Sequence, residues 1–121
     1  MKKILIVEDN EMNRDMLQRR LERNGYVVVC AVDGPDGIDK AETEQPNVIL
    51  MDVALGEMDG WEATTIIREN PSTKHIPIIA LTAHALESDR RKSVEVGCVD
   101  FETKPVSLGE LIEKIERHAA Y

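Results

Sequence analysis

Five short apolar runs alternate with amphipathic stretches along this chain, and few folds accept that order. The runs are Ile4–Val7, Val27–Cys30, Val48–Met51, Ile76–Leu81 and Val99–Phe101. Such short, continuous runs fit strands buried on both faces. Between them, apolar residues recur at helical spacing. Met12, Met16, Leu17 and Leu21 share a face in the first stretch, Ile38 and Ala41 in the second, and Ala63, Ile66 and Ile67 in the third. The stretch from Leu86 to Val96 is the least regular, whereas Leu108, Leu111, Ile112 and Ile115 keep i, i+3, i+4, i+7. Breakers fall at the joints: Asn24-Gly25 after the first helix, Gly97 after the fourth, and Pro46, Pro71 and Pro77 before strands or at their start. Strict alternation of this kind predicts an α/β fold, a doubly wound parallel sheet of five strands with helices on both faces.

In such a sheet, function gathers beyond the carboxyl ends of the strands, where the winding reverses. A strand order known for this class, 2-1-3-4-5, puts that point between strands 1 and 3; it is adopted from known folds rather than deduced from the residues. Strand 1 runs into Glu8-Asp9 and strand 3 into Asp52. Three converging acids would raise one another's pKa unless a cation joined them. Ligands that are all oxygen suit Mg²⁺. Taken singly, each acid reads equally well as a helix cap favoured by the macrodipole; the three together favour a metal-binding pocket.

Two more strand ends add to the set. Ala80-Leu81-Thr82-Ala83 brings a hydroxyl to that edge, and Glu102-Thr103-Lys104-Pro105 brings an ammonium. In isolation Thr82 would serve as a cap for the fourth helix and Lys104 as a surface lysine. As a group they are what phosphoryl transfer requires. Asp52 would be the nucleophile, Mg²⁺ and Lys104 would neutralise the transferring oxygens, and Thr82 would bond the product.

Composition narrows the partners. At 121 residues, 42% hydrophobic and 31% charged, the chain suits one globular domain spanning 1–121. No apolar run approaches the roughly 20 residues that cross a bilayer, and Met1-Lys2-Lys3 leads into a run too short for a signal peptide. A cytoplasmic protein with no membrane partner is expected. A net charge of −8 argues against nucleic acid. The one short basic run, Arg90-Arg91-Lys92, reads most simply as a solvated helix face. Cys30 and Cys98 have no metal-ligand spacing, lie in apolar neighbourhoods and read as buried small side chains. With strands 2 and 5 at opposite edges of the sheet, they would be roughly 19 Å apart at the strand axes, too far for a disulfide.

The segments Val7-Glu8-Asp9-Asn10, Leu50-Met51-Asp52, Met58-Asp59-Gly60, Ala80-Leu81-Thr82-Ala83 and Lys104-Pro105 stand in one familiar order and spacing. Through them the chain, from Lys2 to about His118, strongly resembles the receiver domain of bacterial two-component response regulators. The resemblance implies a flavodoxin-like (βα)5 fold in which Asp52 accepts a phosphoryl group from a phosphohistidine. It implies Mg²⁺ held directly by Asp9, Asp52 and the main-chain carbonyl of Ala54, with Glu8 acting mainly through water. Lys104 would pair with the phosphoryl group, and the Lys104–Pro105 bond would be cis. Thr82 and Phe101 would form the switch, Phe101 matching the aromatic position three residues before the lysine. Gly56 stands where the family commonly has proline, which should free the loop. Ala54 and His84 occupy positions that modulate water access to the phosphoryl group.

The chain stops at Tyr121 with no output domain, so a stand-alone, monomeric receiver is expected. It would be a phosphorylation-activated switch, catalysing only its own phosphorylation and dephosphorylation. Its partners would be a sensor histidine kinase and/or a histidine phosphotransfer protein, which in this family commonly docks on helix 1. A downstream protein would bind the face of helix 4, strand 5 and helix 5, where the basic run would steer an acidic partner. A receiver module of a hybrid kinase or phosphorelay would show the same motifs. A Mg²⁺-dependent phosphatase using an aspartyl-phosphate usually carries a second acid two residues past the nucleophile, where this chain has Ala54. A flavodoxin-like cofactor binder needs a Ser/Thr/Gly-rich phosphate loop, and Glu8-Asp9-Asn10-Glu11 would repel it. A degenerate receiver is disfavoured because every pocket residue is present.

Overall fold

In the computed structural model, which describes residues 2–83 and 86–119, all five apolar runs become parallel strands. The elements are β1 (Lys3–Val7), α1 (Glu11–Arg23), β2 (Val27–Ala31), α2 (Gly34–Glu44), β3 (Val48–Asp52), α3 (Gly60–Glu69), β4 (Ile78–Thr82), α4 (Glu87–Val96), β5 (Asp100–Thr103) and α5 (Leu108–His118). The strands pair in the order β2-β1-β3-β4-β5, as expected. Side chains alternate between faces along each strand, and two cores result. Leu5, Val7, Ile49, Met51 and Ile78 pack with Ala41, Ala63 and Ile67 from α2 and α3. Ile4, Ile6, Leu50, Ile79 and Leu81 pack on the other side with Leu21, Leu111 and Ile115 from α1 and α5.

Three strands differ from the sequence reading by one residue at one end, and β4 and β5 by two residues at one end and one at the other. β4 begins at Ile78 rather than Ile76. Pro77 has no N–H to give the ladder, yet its carbonyl accepts from the Ile49 amide at 2.9 Å, so it borders the strand as an acceptor only. β5 covers Asp100–Thr103, further along than Val99–Phe101. Its apolar signal is weak because this edge strand carries acids that α5 neutralises. Lys114 Nζ lies 2.8 Å from Glu102 Oε2, and His118 Nε2 lies 3.0 Å from Asp100 Oδ2.

The apolar stripe of α1 is wider than the surface that covers it. Leu21 is buried and Leu17 packs beside it, but Met12 is 74% exposed and Met16 44%. Ile66 on α3 likewise faces outward while Ala63 and Ile67 carry the packing. Helix starts are local affairs. The side chains of Asn10, Asp33 and Asp59 accept the amides of Asn13, Asp36 and Glu62, capping α1, α2 and α3.

Candidate functional site

Parallel register brings the carboxyl ends of four strands level. Val7 pairs with Met51, Asp52 with Leu81, and Thr82 with Thr103. The chain then delivers Glu8 and Asp9 just past β1, Asp52 as the last residue of β3, Thr82 as the last of β4 and Lys104 just past β5. None of the three acids caps a helix. Asn10 does so for α1, and Asp59, seven positions beyond Asp52, for α3. Thr82 does not cap α4 either, because Leu86 stands at that position without a side-chain bond.

One carboxylate oxygen from each of Glu8, Asp9 and Asp52 lies within 4.8 Å of the others. Glu8 and Asp52 are buried, and Asp9 is open to solvent. Lys104 joins the buried pair, its Nζ 3.0 Å from Glu8 Oε1 and 2.9 Å from Asp52 Oδ2. The Ala54 amide donates to Asp52 Oδ1 at 3.0 Å. The Asn10 amide reaches Glu8 Oε2 at 3.3 Å.

These contacts divide the acids into two states. Burial, reinforced by the Asp52 carboxylate, pushes Glu8 up to about 7 despite the Lys104 ammonium. Burial acts on Asp52 in the same direction. The hydrogen bonds from Glu8, the Ala54 amide and Lys104 outweigh it and hold Asp52 below its usual range. Lys104 loses hydration by burial, but Asp52 and Glu8 more than compensate and raise its pKa. At neutral pH the shared proton therefore favours Glu8, and Asp52 is ionised. The donor set is all oxygen, with one exposed and two buried carboxylates, and suits a hard dication that keeps part of its water.

The backbone around Asp52 is held by a close approach. Gly60 begins α3, and its amide donates to the Val53 carbonyl at 3.2 Å. A Cβ there would come within 2.7 Å of Val53 Cα and closer still to the Asp52 carbonyl oxygen, so only glycine fits. Gly56, where greater loop freedom was expected, lies between the anchored side chains of Leu55 and Met58. The Lys104–Pro105 peptide is cis, and the Lys104 amide donates to the Thr82 carbonyl at 2.7 Å.

Phe101 is half-buried on β5. Arg90 Cζ lies 5.1 Å from the ring centroid and Lys114 Nζ 6.0 Å. The basic run is a solvated face, as read: Arg90, Arg91 and Lys92 are all exposed, although Arg90 also lies over Phe101 and Arg91 approaches Glu87 at 3.8 Å. Cys30 and Cys98 are free and half-buried rather than buried, and they pack into opposite cores with the sheet between them. His84 lies outside the described residues.

Two arginines escaped the sequence reading. Arg14 Nη1 donates to the Glu8 carbonyl at 2.9 Å. Arg68 donates to the carbonyls of Gly97 and Ile76, each at 2.8 Å, and to that of Lys74. Nothing in their spacing marks them apart from the chain's other arginines; only folding brings carbonyls to them.

An ionised acid at the strand-3 edge, a lysine bridging it to a second acid, and a winding reversal beneath them belong to the switches of two-component signalling. The response regulator receiver domain family matches residues 4–116, and this chain belongs to it. Receiver domains are phosphorylation-activated signalling switches. Over 117 residues the chain is 35% identical to the polar-differentiation response regulator DivK of Brucella anthropi, covering 97% of this chain and 95% of that one. Among solved structures it resembles chemotaxis protein CheY4 of Vibrio cholerae, with a TM-score of 0.92, 30% identity and 98% of each chain covered. It also resembles the receiver domain of sensor histidine kinase PA1611 of Pseudomonas aeruginosa, with a TM-score of 0.89, 38% identity, and 97% and 96% coverage. That receiver was solved with a magnesium ion coordinated in its active-site cleft.

Proposed function

We propose that this chain is a single receiver domain that accepts a phosphoryl group on Asp52 from a phosphohistidine donor. The observation that carries this reading is the setting of Asp52: buried at the reversal point of the sheet and bonded to Lys104 and the Ala54 amide, contacts that hold its pKa below the usual range. An ionised carboxylate needs no general base. One of its oxygens attacks phosphorus, the P–N bond breaks, and the electron pair stays on the donor's ring nitrogen, which leaves as neutral imidazole because its other nitrogen carries the proton. The Lys104 ammonium is placed to balance charge on the transferring oxygens. Glu8, Asp9, Asp52 and the Ala54 carbonyl would hold Mg²⁺, which would neutralise further charge on the phosphoryl group. Thr82, buried at the end of the neighbouring strand, would bond the transferred group.

The donor, a sensor histidine kinase or histidine phosphotransfer protein, would dock on α1, where Met12 and Met16 are exposed. A groove of about 530 Å³, lined partly by Met16, Leu17, Arg20 and Pro105, opens beside Glu8 and Lys104. Signal would leave through α4, β5 and α5 to a downstream protein, with Phe101 turning inward when Thr82 moves. Phe101→Ala should weaken that binding and leave phosphorylation intact. The protein would work as a cytoplasmic monomer; among the described residues no helix is long and apolar enough to cross a membrane.

The test is incubation with acetyl phosphate and Mg²⁺, followed by mapping of the added mass. Mass on Asp52, abolished by Asp52→Ala or by chelation, is the expected result. Labelling that survives either treatment refutes the reading.

A further inference from the structure

We propose that Arg14 is a positioning residue for the divalent-cation site, acting on Glu8 and Asp9 through the peptide that joins them. This rests on the Mg²⁺ reading above. The β1 ladder ends at Val7, and the next residues must carry two carboxylates without strand pairing to steady them. The Glu8 amide is still held, donating to the Ala31 carbonyl at the end of β2 at 3.1 Å. Its carbonyl, beyond the ladder, accepts the Arg14 guanidinium at 2.9 Å. A charged donor makes this bond stronger than an ordinary one.

That carbonyl belongs to the planar unit linking the Glu8 and Asp9 Cα atoms. Turning the plane would swing the Asp9 carboxylate relative to those of Glu8 and Asp52. The next residue is fixed as well, since the Asn10 side chain accepts the Asn13 amide and caps α1. Arg14, half-buried in the first turns of the same helix, therefore ties the two acids to α1 as Ala31 ties them to β2.

Arg14 has a second, opposite influence. As a nearby positive charge it disfavours a dication, so removing charge alone would tighten Mg²⁺ binding. Loss of positioning would loosen it. The sign of the change separates the two.

The experiment is calorimetric titration of the purified, metal-free protein with MgCl₂, alongside thermal denaturation. Arg14→Met keeps a helix-favouring side chain but removes the donor and the charge; its Mg²⁺ Kd should rise about ten-fold, the scale on which groups that orient metal ligands act, with little change in Tm. Arg14→Lys, whose ammonium falls one bond short of the guanidinium, should recover part of the affinity. If Arg14→Met does not fold, Arg14→Gln, whose amide is also too short to reach the carbonyl, should show the same loss. A Kd equal to or below that of the wild type in the folded variant overturns the proposal. Absence of saturable Mg²⁺ binding in the wild type would instead overturn the metal reading, and the proposal with it.

Discussion

Lys104 closes on Asp52 from the far end of the domain: its ammonium lies 2.9 Å from Asp52 Oδ2 across a separation of 52 residues. The same nitrogen is 3.0 Å from Glu8 Oε1, so one cation serves two buried carboxylates. Without it, Asp52 would lose the one cation that touches it among the described residues, and burial would act on it with less opposition.

Lys104→Met should therefore destabilise the metal-free protein by about 2 kcal/mol at neutral pH. Saturating Mg²⁺ supplies another cation to the same oxygens and should recover much of that loss. Denaturant titrations with chelator and with excess MgCl₂ check both parts. An equal loss in both conditions would mean that the lysine matters for packing rather than charge.

Glu8 makes stability depend on pH in an unusual direction for a carboxylate. Its pKa rises from 4.5 unfolded to about 7 folded, so the folded state retains a proton the unfolded state has lost. The associated stability is full below pH 4.5 and disappears as pH rises towards 7. Asp52, shifted downward, behaves oppositely: its contribution is present above 3.8 and lost as pH falls further. Glu8→Gln should flatten the first slope and stabilise the metal-free protein by up to about 3 kcal/mol near pH 8. Urea midpoints measured with chelator from about pH 4 to pH 8 would show this as crossing curves.

Gly56, in the loop after β3, and Gly60, the first residue of α3, should respond to alanine in opposite ways. A Cβ on Gly60 meets the Asp52–Val53 backbone, which cannot yield without moving the acceptor, so Gly60→Ala should cost at least about 2 kcal/mol. A Cβ on Gly56 meets nothing within 4 Å. Gly56→Ala should be neutral or stabilising by about 0.5 kcal/mol through the unfolded chain. Differential scanning calorimetry of the two variants separates them.

Arg68→Ala should destabilise the fold by about 2–3 kcal/mol without touching the acids, because it strips a charged donor from the carbonyls of Lys74, Ile76 and Gly97. Phosphorylation by acetyl phosphate, assayed below the melting transition, should continue.

Much of this was legible along the chain because its causes are local. Short continuous runs such as Ile4–Val7, bounded by polar residues, fit strands buried on both faces, and Asn24-Gly25 and Gly97 stop helices by backbone chemistry. Strict alternation of strands and helices pointed to a doubly wound sheet, and with the strand order adopted from known folds the acids that end strands 1 and 3 meet at its carboxyl edge. Order and spacing of the motifs pointed to Glu8, Asp9, Asp52, Thr82 and Lys104. What remained hidden depends on which surface another element covers. Met12 and Met16 match the periodicity of Leu17 and Leu21, yet they stay exposed where Leu21 is buried. The ends of β5 were obscured because its acids pair with Lys114 and Arg117, residues that lie beyond it in the sequence. Only the tertiary structure decided that the proton belongs to Glu8 and the charge to Asp52, since burial and the reach of Lys104 are properties of the folded pocket. Only it could assign Arg14 and Arg68, because a guanidinium gains a role when folding brings main-chain carbonyls within 3 Å of it.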